Sequence, residues 1–68
     1  MSGTYKKIEI VGTSPVSIAE AIKSAVKEAG KTVRHMNWFE VVETRGRITD
    51  GNVEEFQVTI EIGFKLES

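Results

Sequence analysis

Phe56-Gln57-Val58-Thr59-Ile60-Glu61-Ile62-Gly63-Phe64-Lys65-Leu66 decides the fold. Phe56, Val58, Ile60, Ile62, Phe64 and Leu66 share one side of a period of two, and Gln57, Thr59, Glu61, Gly63 and Lys65 take the other. A strand with one face buried produces this pattern, because successive side chains leave the backbone in opposite directions. Immediately upstream, Thr49-Asp50-Gly51-Asn52 holds Asp-Gly, a strong short-range hairpin signal. Trp38 to Ile48 reads as a second long strand, so 38–48 and 53–66 form an antiparallel hairpin. An even loop centred on Asp50-Gly51 sets Gln57 opposite Thr44 and Trp38 opposite Gly63, all on the polar face. Ile48 then falls among polar neighbours, the mark of a β-bulge. Trp38 lies six positions along the strand from the partner of Gln57, roughly 20 Å at ~3.3 Å per residue. A small ligand that touches both must sit between subunits.

The helix precedes the hairpin. Ile18, Ala21, Ile22, Ala25, Val26, Ala29 and Val33 recur at spacings of three and four and form one apolar stripe. Lys23, Lys27 and Lys31 occupy the wet face toward the C-terminal end, where cations suit the helix dipole. Ser17 with Glu20 fits a capping box, and Ser14 with Pro15 at the first helical position is an equally good earlier start. Gly30 is a plausible stop, which places the end between Ala29 and Val33. Before the helix, Tyr5 to Val11 alternates and Gly12 breaks the run. The order is β-α-β-β, an α+β subunit with a three-stranded antiparallel sheet and one amphipathic helix on its apolar face. One helix cannot cover strands this long, so apolar or edge surface is left for a partner.

Length and composition point the same way. Residues 1–68 allow a single domain, and a chain this short buries only ~60% of the surface its unfolded state exposes. Such scaffolds need a disulfide, a metal or oligomerisation. The sequence has no cysteine, and its one histidine, His35, has no second histidine to join it, so no metal site is expected. Oligomerisation is the reinforcement left. Nine Lys+Arg against ten Asp+Glu, net −1, give no bulk attraction to nucleic acid or anionic membrane. No apolar run approaches a membrane span, and no signal-peptide core follows Met1. A soluble cytoplasmic homo-oligomer is expected.

No catalytic residue is expected either: the hydroxyls lack His–carboxylate partners, and no phosphate-binding glycine loop or nucleophile elbow is present. Trp38, the only tryptophan, reads as an interface filler or as a stacking platform. Its polar face and the glycine opposite favour the platform. His35 reads as a helix-end residue. Lys31, Arg34, Arg45 and Arg47 read as solvated surface, or else as a phosphate-holding cluster.

Val11-Gly12-Thr13-Ser14, Arg34 followed by Trp38-Phe39-Glu40-Val41, Arg45-Gly46, Phe56-Gln57-Val58 and Gly63-Phe64-Lys65-Leu66-Glu67 together resemble the dodecins over nearly the whole chain. The resemblance implies a sheet wrapped around its helix and a hollow homododecamer of cubic symmetry. It also implies binding and storage of riboflavin or FMN, without turnover. In this reading Trp38 stacks on the isoalloxazine, with flavins held in pairs between two tryptophans related by a two-fold axis. Gln57 hydrogen-bonds the ring, and Arg45 lies near the ribityl or phosphate end. Lys65 stands where relatives often carry arginine, so charge is kept and bidentate geometry lost. Some relatives also bind coenzyme A, for which Tyr5, Lys31, Thr32 and Arg34 are the matching positions. The alternative from another class is a structural homo-oligomeric scaffold without a flavin.

Overall fold

Three strands and one helix follow one another in a computed structural model that describes residues 3–66: β1 (Tyr5–Ser14), α1 (Ile18–Ala29), β2 (Met36–Thr49) and β3 (Asn52–Lys65). The sheet order is β1-β3-β2, with both pairings antiparallel. Central β3 carries the core: Val58, Ile60 and Ile62 are buried on one face, with Ala21 and Ala25 of α1 packed on them. Ile8, Ile10, Ile22, Val26, Ala29 and Met36 surround this centre half-buried. Glu67, the last residue of the Gly63–Glu67 motif, lies outside the described residues.

Ser17 is the helix N-cap, its hydroxyl accepting from the Glu20 N–H at 3.0 Å. The earlier start at Ser14 is not used. Ser14 is buried, and its Oγ accepts from the Val16 N–H at 3.0 Å, which turns the chain into the helix. The helix ends at Ala29, and the N–H groups of Thr32 and Val33 both donate to the Ala29 carbonyl. His35, in the left-handed region at φ 62°, redirects the chain into β2.

Gly12 does not break β1, which runs on to Ser14. A Cβ at Gly12 would overlap the Ala21 carbonyl oxygen and the Ala25 methyl. The glycine lets helix and strand approach closely, a tertiary reason that local propensity does not carry.

The hairpin turns at Asp50-Gly51 with φ of 52° and 78°, as a two-residue turn with both central residues left-handed requires. Gln57 pairs with Arg45, not Thr44, because β3 gains an unpaired residue between Val53 and Glu55. Val42 is a compensating extra residue on β2, so Trp38 still meets Gly63. The two bulges cancel.

The helix packs on β1 and β3 and leaves β2 largely uncovered. Phe39 (48%), Val41 (48%) and Ile48 (71%) are exposed on a strand that is solvent-facing from Asn37 to Thr49. Ile18, Thr44, Gly46, Ile48, Val53 and Phe56 line an apolar trough of about 280 Å³ beyond the start of the helix. Among the described residues no helix is long and apolar enough to cross a membrane.

Candidate ligand-binding face

The face of the sheet opposite α1 carries the polar residues of all three strands. One row across it reads Lys7, Gly63, Trp38, and the next reads Glu9, Glu61, Glu40. With no side chain on the middle strand at Gly63, the indole of Trp38 lies over β3 and reaches β1. A Cβ at Gly63 would meet three consecutive atoms of the benzo ring at nearly equal range, so the glycine lies under the ring's face rather than its edge. Tyr5 stands beside the indole with ring centroids 5.4 Å apart and planes tilted by 58°, a favourable aromatic pairing. Trp38 is nonetheless 40% exposed.

The indole is also held at its edge. Trp38 Nε1 donates to Glu40 Oε2 at 3.0 Å, and Lys7 Nζ donates to the same oxygen at 3.2 Å. Lys7 Nζ also pairs with Glu61 Oε1 at 3.0 Å, so the network joins β1, β3 and β2. The Trp38 hydrogen bond, and then Lys7, hold the Glu40 carboxyl below its ordinary range. The hydrogen bonds that Lys7 donates to Glu61 and then to Glu40 raise its ammonium above its ordinary range. Glu40 and Lys7 are missing from the sequence-based site, although Glu40 shares Trp38's face two positions on.

At the other end of this face, Gln57 pairs with Arg45 on β2 and Thr13 on β1. Gln57 Nε2 donates to Glu55 Oε1 at 2.9 Å, and Arg47 reaches Glu54 at 3.1 Å and Glu55 at 3.5 Å. Gln57 lies six residues along β3 from Gly63, the partner of Trp38, roughly 20 Å. Lys65 pairs with Tyr5 at the Trp38 end. Each end of the face therefore holds part of the expected set: Trp38 and Lys65 at one, Gln57 and Arg45 at the other.

The expected basic cluster is not one cluster. Lys31 lies at the end of the helix and pairs with Glu28 at 3.2 Å, whereas Arg45 and Arg47 lie toward the hairpin tip. Arg47 is engaged by two carboxylates, and Arg45 has no ionic partner among the described residues. Lys31 and Thr32 line a cleft of about 390 Å³ with Ile8, Ile10, Ala25 and Ala29, between α1 and the edge strand β1. Tyr5 is on the opposite face, against Trp38, and is not part of that cleft.

Residues 4–67 match the family model described as Dodecin. A curated relative, the dodecin of Thermus thermophilus, is 51% identical over 67 residues, spanning 98% of this chain and 97% of its own. The dodecin from Streptomyces davaonensis superposes with a TM-score of 0.95 at 41% identity, covering 100% of both chains. A more distant relative named calcium dodecin, from Mycobacterium tuberculosis, is 31% identical across 91% of this chain and 87% of its own. Sequence, element order and three-dimensional match agree: the chain belongs to the dodecin family.

Proposed function

We propose that this protein sequesters riboflavin or FMN in a homododecamer, holding flavin pairs between Trp38 side chains of neighbouring subunits. The observation that carries the reading is the Trp38 indole, seated over Gly63, flanked by Tyr5 and fixed at its edge, yet 40% exposed. An immobilised aromatic on a polar face has no core to fill, and its π surface matches a flat heteroaromatic ring. Gln57 supplies an amide donor and acceptor suited to the uracil-like edge of a flavin. Its separation from Trp38 within one subunit agrees with a site closed by a second copy.

Assembly has its own support. Among the described residues only five hydrophobic side chains are buried in the isolated subunit, two of them alanines. Phe39, Val41 and Ile48 leave an apolar strip beside the helix that a neighbouring subunit would cover.

A bound flavin supplies an excited state that accepts an electron. Trp38 in contact would donate one and quench emission, a behaviour that fits storage and photoprotection rather than turnover. The ionisable groups nearest Trp38, namely Glu40, Lys7 and Glu61, are tied to one another in ion pairs. A second ligand, coenzyme A, is proposed for the cleft between α1 and β1. There Lys31, paired with Glu28, supplies a cation, and Ile8, Ile10 and Ala29 form an apolar wall. The experiment is a spectrum of the purified protein with mass spectrometry of whatever it releases. A yellow protein with weak flavin emission supports the reading. A colourless assembly that neither binds nor quenches added riboflavin or FMN leaves a structural scaffold.

A further inference from the structure

We infer that Glu40 is a positioning residue for the flavin site: its carboxylate, anchored by Lys7, fixes the plane in which Trp38 presents its indole. The inference rests on the flavin reading above and deepens it. Three observations carry it. First, the indole N–H and the Lys7 ammonium converge on one oxygen, Glu40 Oε2, at 3.0 and 3.2 Å. Second, Lys7 is itself tied to Glu61 on the central strand at 3.0 Å, so the acceptor is anchored to the sheet rather than to a free side chain. Third, this bond lies at the edge of the ring and therefore leaves its open face unobstructed.

The physics requires such a partner. The indole N–H is a donor only, and when a stacked ligand displaces water it must already be satisfied within the protein. Gly63 and Tyr5 limit where the ring can rest, but neither accepts from Nε1. Without Glu40 the ring is free to rock over the glycine, and each bound pair must order two such rings. Lys7 also balances the carboxylate charge where a flavin would lie close. With Glu9 and Glu61 in the same row as Glu40, the Lys7 ammonium offsets one of three carboxylate charges.

Because Trp38 is the only tryptophan, its dichroism at the red edge of the near-ultraviolet, beyond the absorption of Tyr5, and its fluorescence anisotropy excited there report on this ring alone. The test compares wild type, Glu40→Ala and Glu40→Gln as assembled proteins, first without ligand and then titrated with riboflavin. In Glu40→Ala the dichroism band and the anisotropy of Trp38 should fall before any flavin is added. Its riboflavin Kd should rise about three- to tenfold, the scale of re-ordering one side chain per ligand. Glu40→Gln keeps an acceptor without the charge and should restore most of both signals. A Glu40→Ala protein with wild-type dichroism and Kd overturns the inference while leaving flavin binding intact. Failure of Glu40→Gln to rescue overturns it too, since the charge rather than the orientation would then matter. Wild-type protein that does not bind riboflavin refutes the functional reading, and the ligand-free dichroism still decides whether Glu40 holds the ring.

Discussion

Replacing Gly63 with alanine puts a methyl group where the face of the Trp38 benzo ring lies. Gly63 does not occupy the left-handed region, so an L side chain fits the backbone without strain. Alanine even gains roughly 0.5–1 kcal/mol by restricting the unfolded strand. The methyl carbon would sit more than an ångström inside ordinary contact with the ring, so the indole must lift. Overpacking of this kind costs about 1–3 kcal/mol in a closed core. Here the ring can swing toward solvent, and net stability should change by less than about 1 kcal/mol. Binding has no such escape. An aromatic contact is worth about 0.5–1.5 kcal/mol beyond area, and in the proposed site a flavin pair meets two copies of Trp38. The loss is therefore about 1–3 kcal/mol per pair, or about five- to 150-fold in affinity. Riboflavin titration followed by flavin emission measures the affinity, and urea unfolding measures the stability. A Gly63→Ala protein that binds and quenches riboflavin like wild type would refute the idea that the ring seated on Gly63 is the platform.

Trp38→Ala should weaken flavin binding at least about tenfold and restore the emission of any flavin still bound, while sedimentation shows an intact oligomer; monomers would instead make Trp38 an interface filler. If Arg45 or Lys65 meets a phosphate, FMN should bind more tightly than riboflavin and the advantage should shrink with salt; equal affinities at all ionic strengths would remove that role. Gly12→Val should destabilise the subunit severely by forcing α1 off β1 at Ala21 and Ala25, and an unchanged thermal midpoint would contradict the close approach. Glu40 titrates below its ordinary 4.5 because the Trp38 N–H and then Lys7 favour the charged form. The acid transition of Trp38 fluorescence should accordingly lie below that value and move up in Lys7→Met; an unmoved midpoint would uncouple Lys7 from Glu40.

The sequence makes the elements legible because each carries its own period. The alternation of β3 and the stripe from Ile18 to Ala29 record which face is buried, and the Asp-Gly turn fixes where the chain doubles back. The pairing of Trp38 with Gly63 is also readable, although only because two bulges of opposite sense cancel. Gln57 lies between those bulges and shifts to Arg45. The bulge beside Ile48 is marked by that apolar residue among polar neighbours, whereas nothing in the local run marks the compensating one at Val42. Gly12 reads as a breaker for the same reason: its role is to admit Ala21 and Ala25, which follow only after a turn and half a helix. Half the candidate site follows the same division. Trp38 stands out as the only tryptophan, whereas the Lys7–Glu40 link joins residues 33 positions apart on the two edge strands and has no sequence pattern.

The most direct test of the account is a riboflavin titration of the assembled protein, followed by flavin emission. The account predicts near-complete quenching that saturates at one flavin per Trp38, on a single species close to twelve times the 7.5 kDa subunit mass. Emission that stays bright with added protein, or that falls without a saturation point, would contradict it.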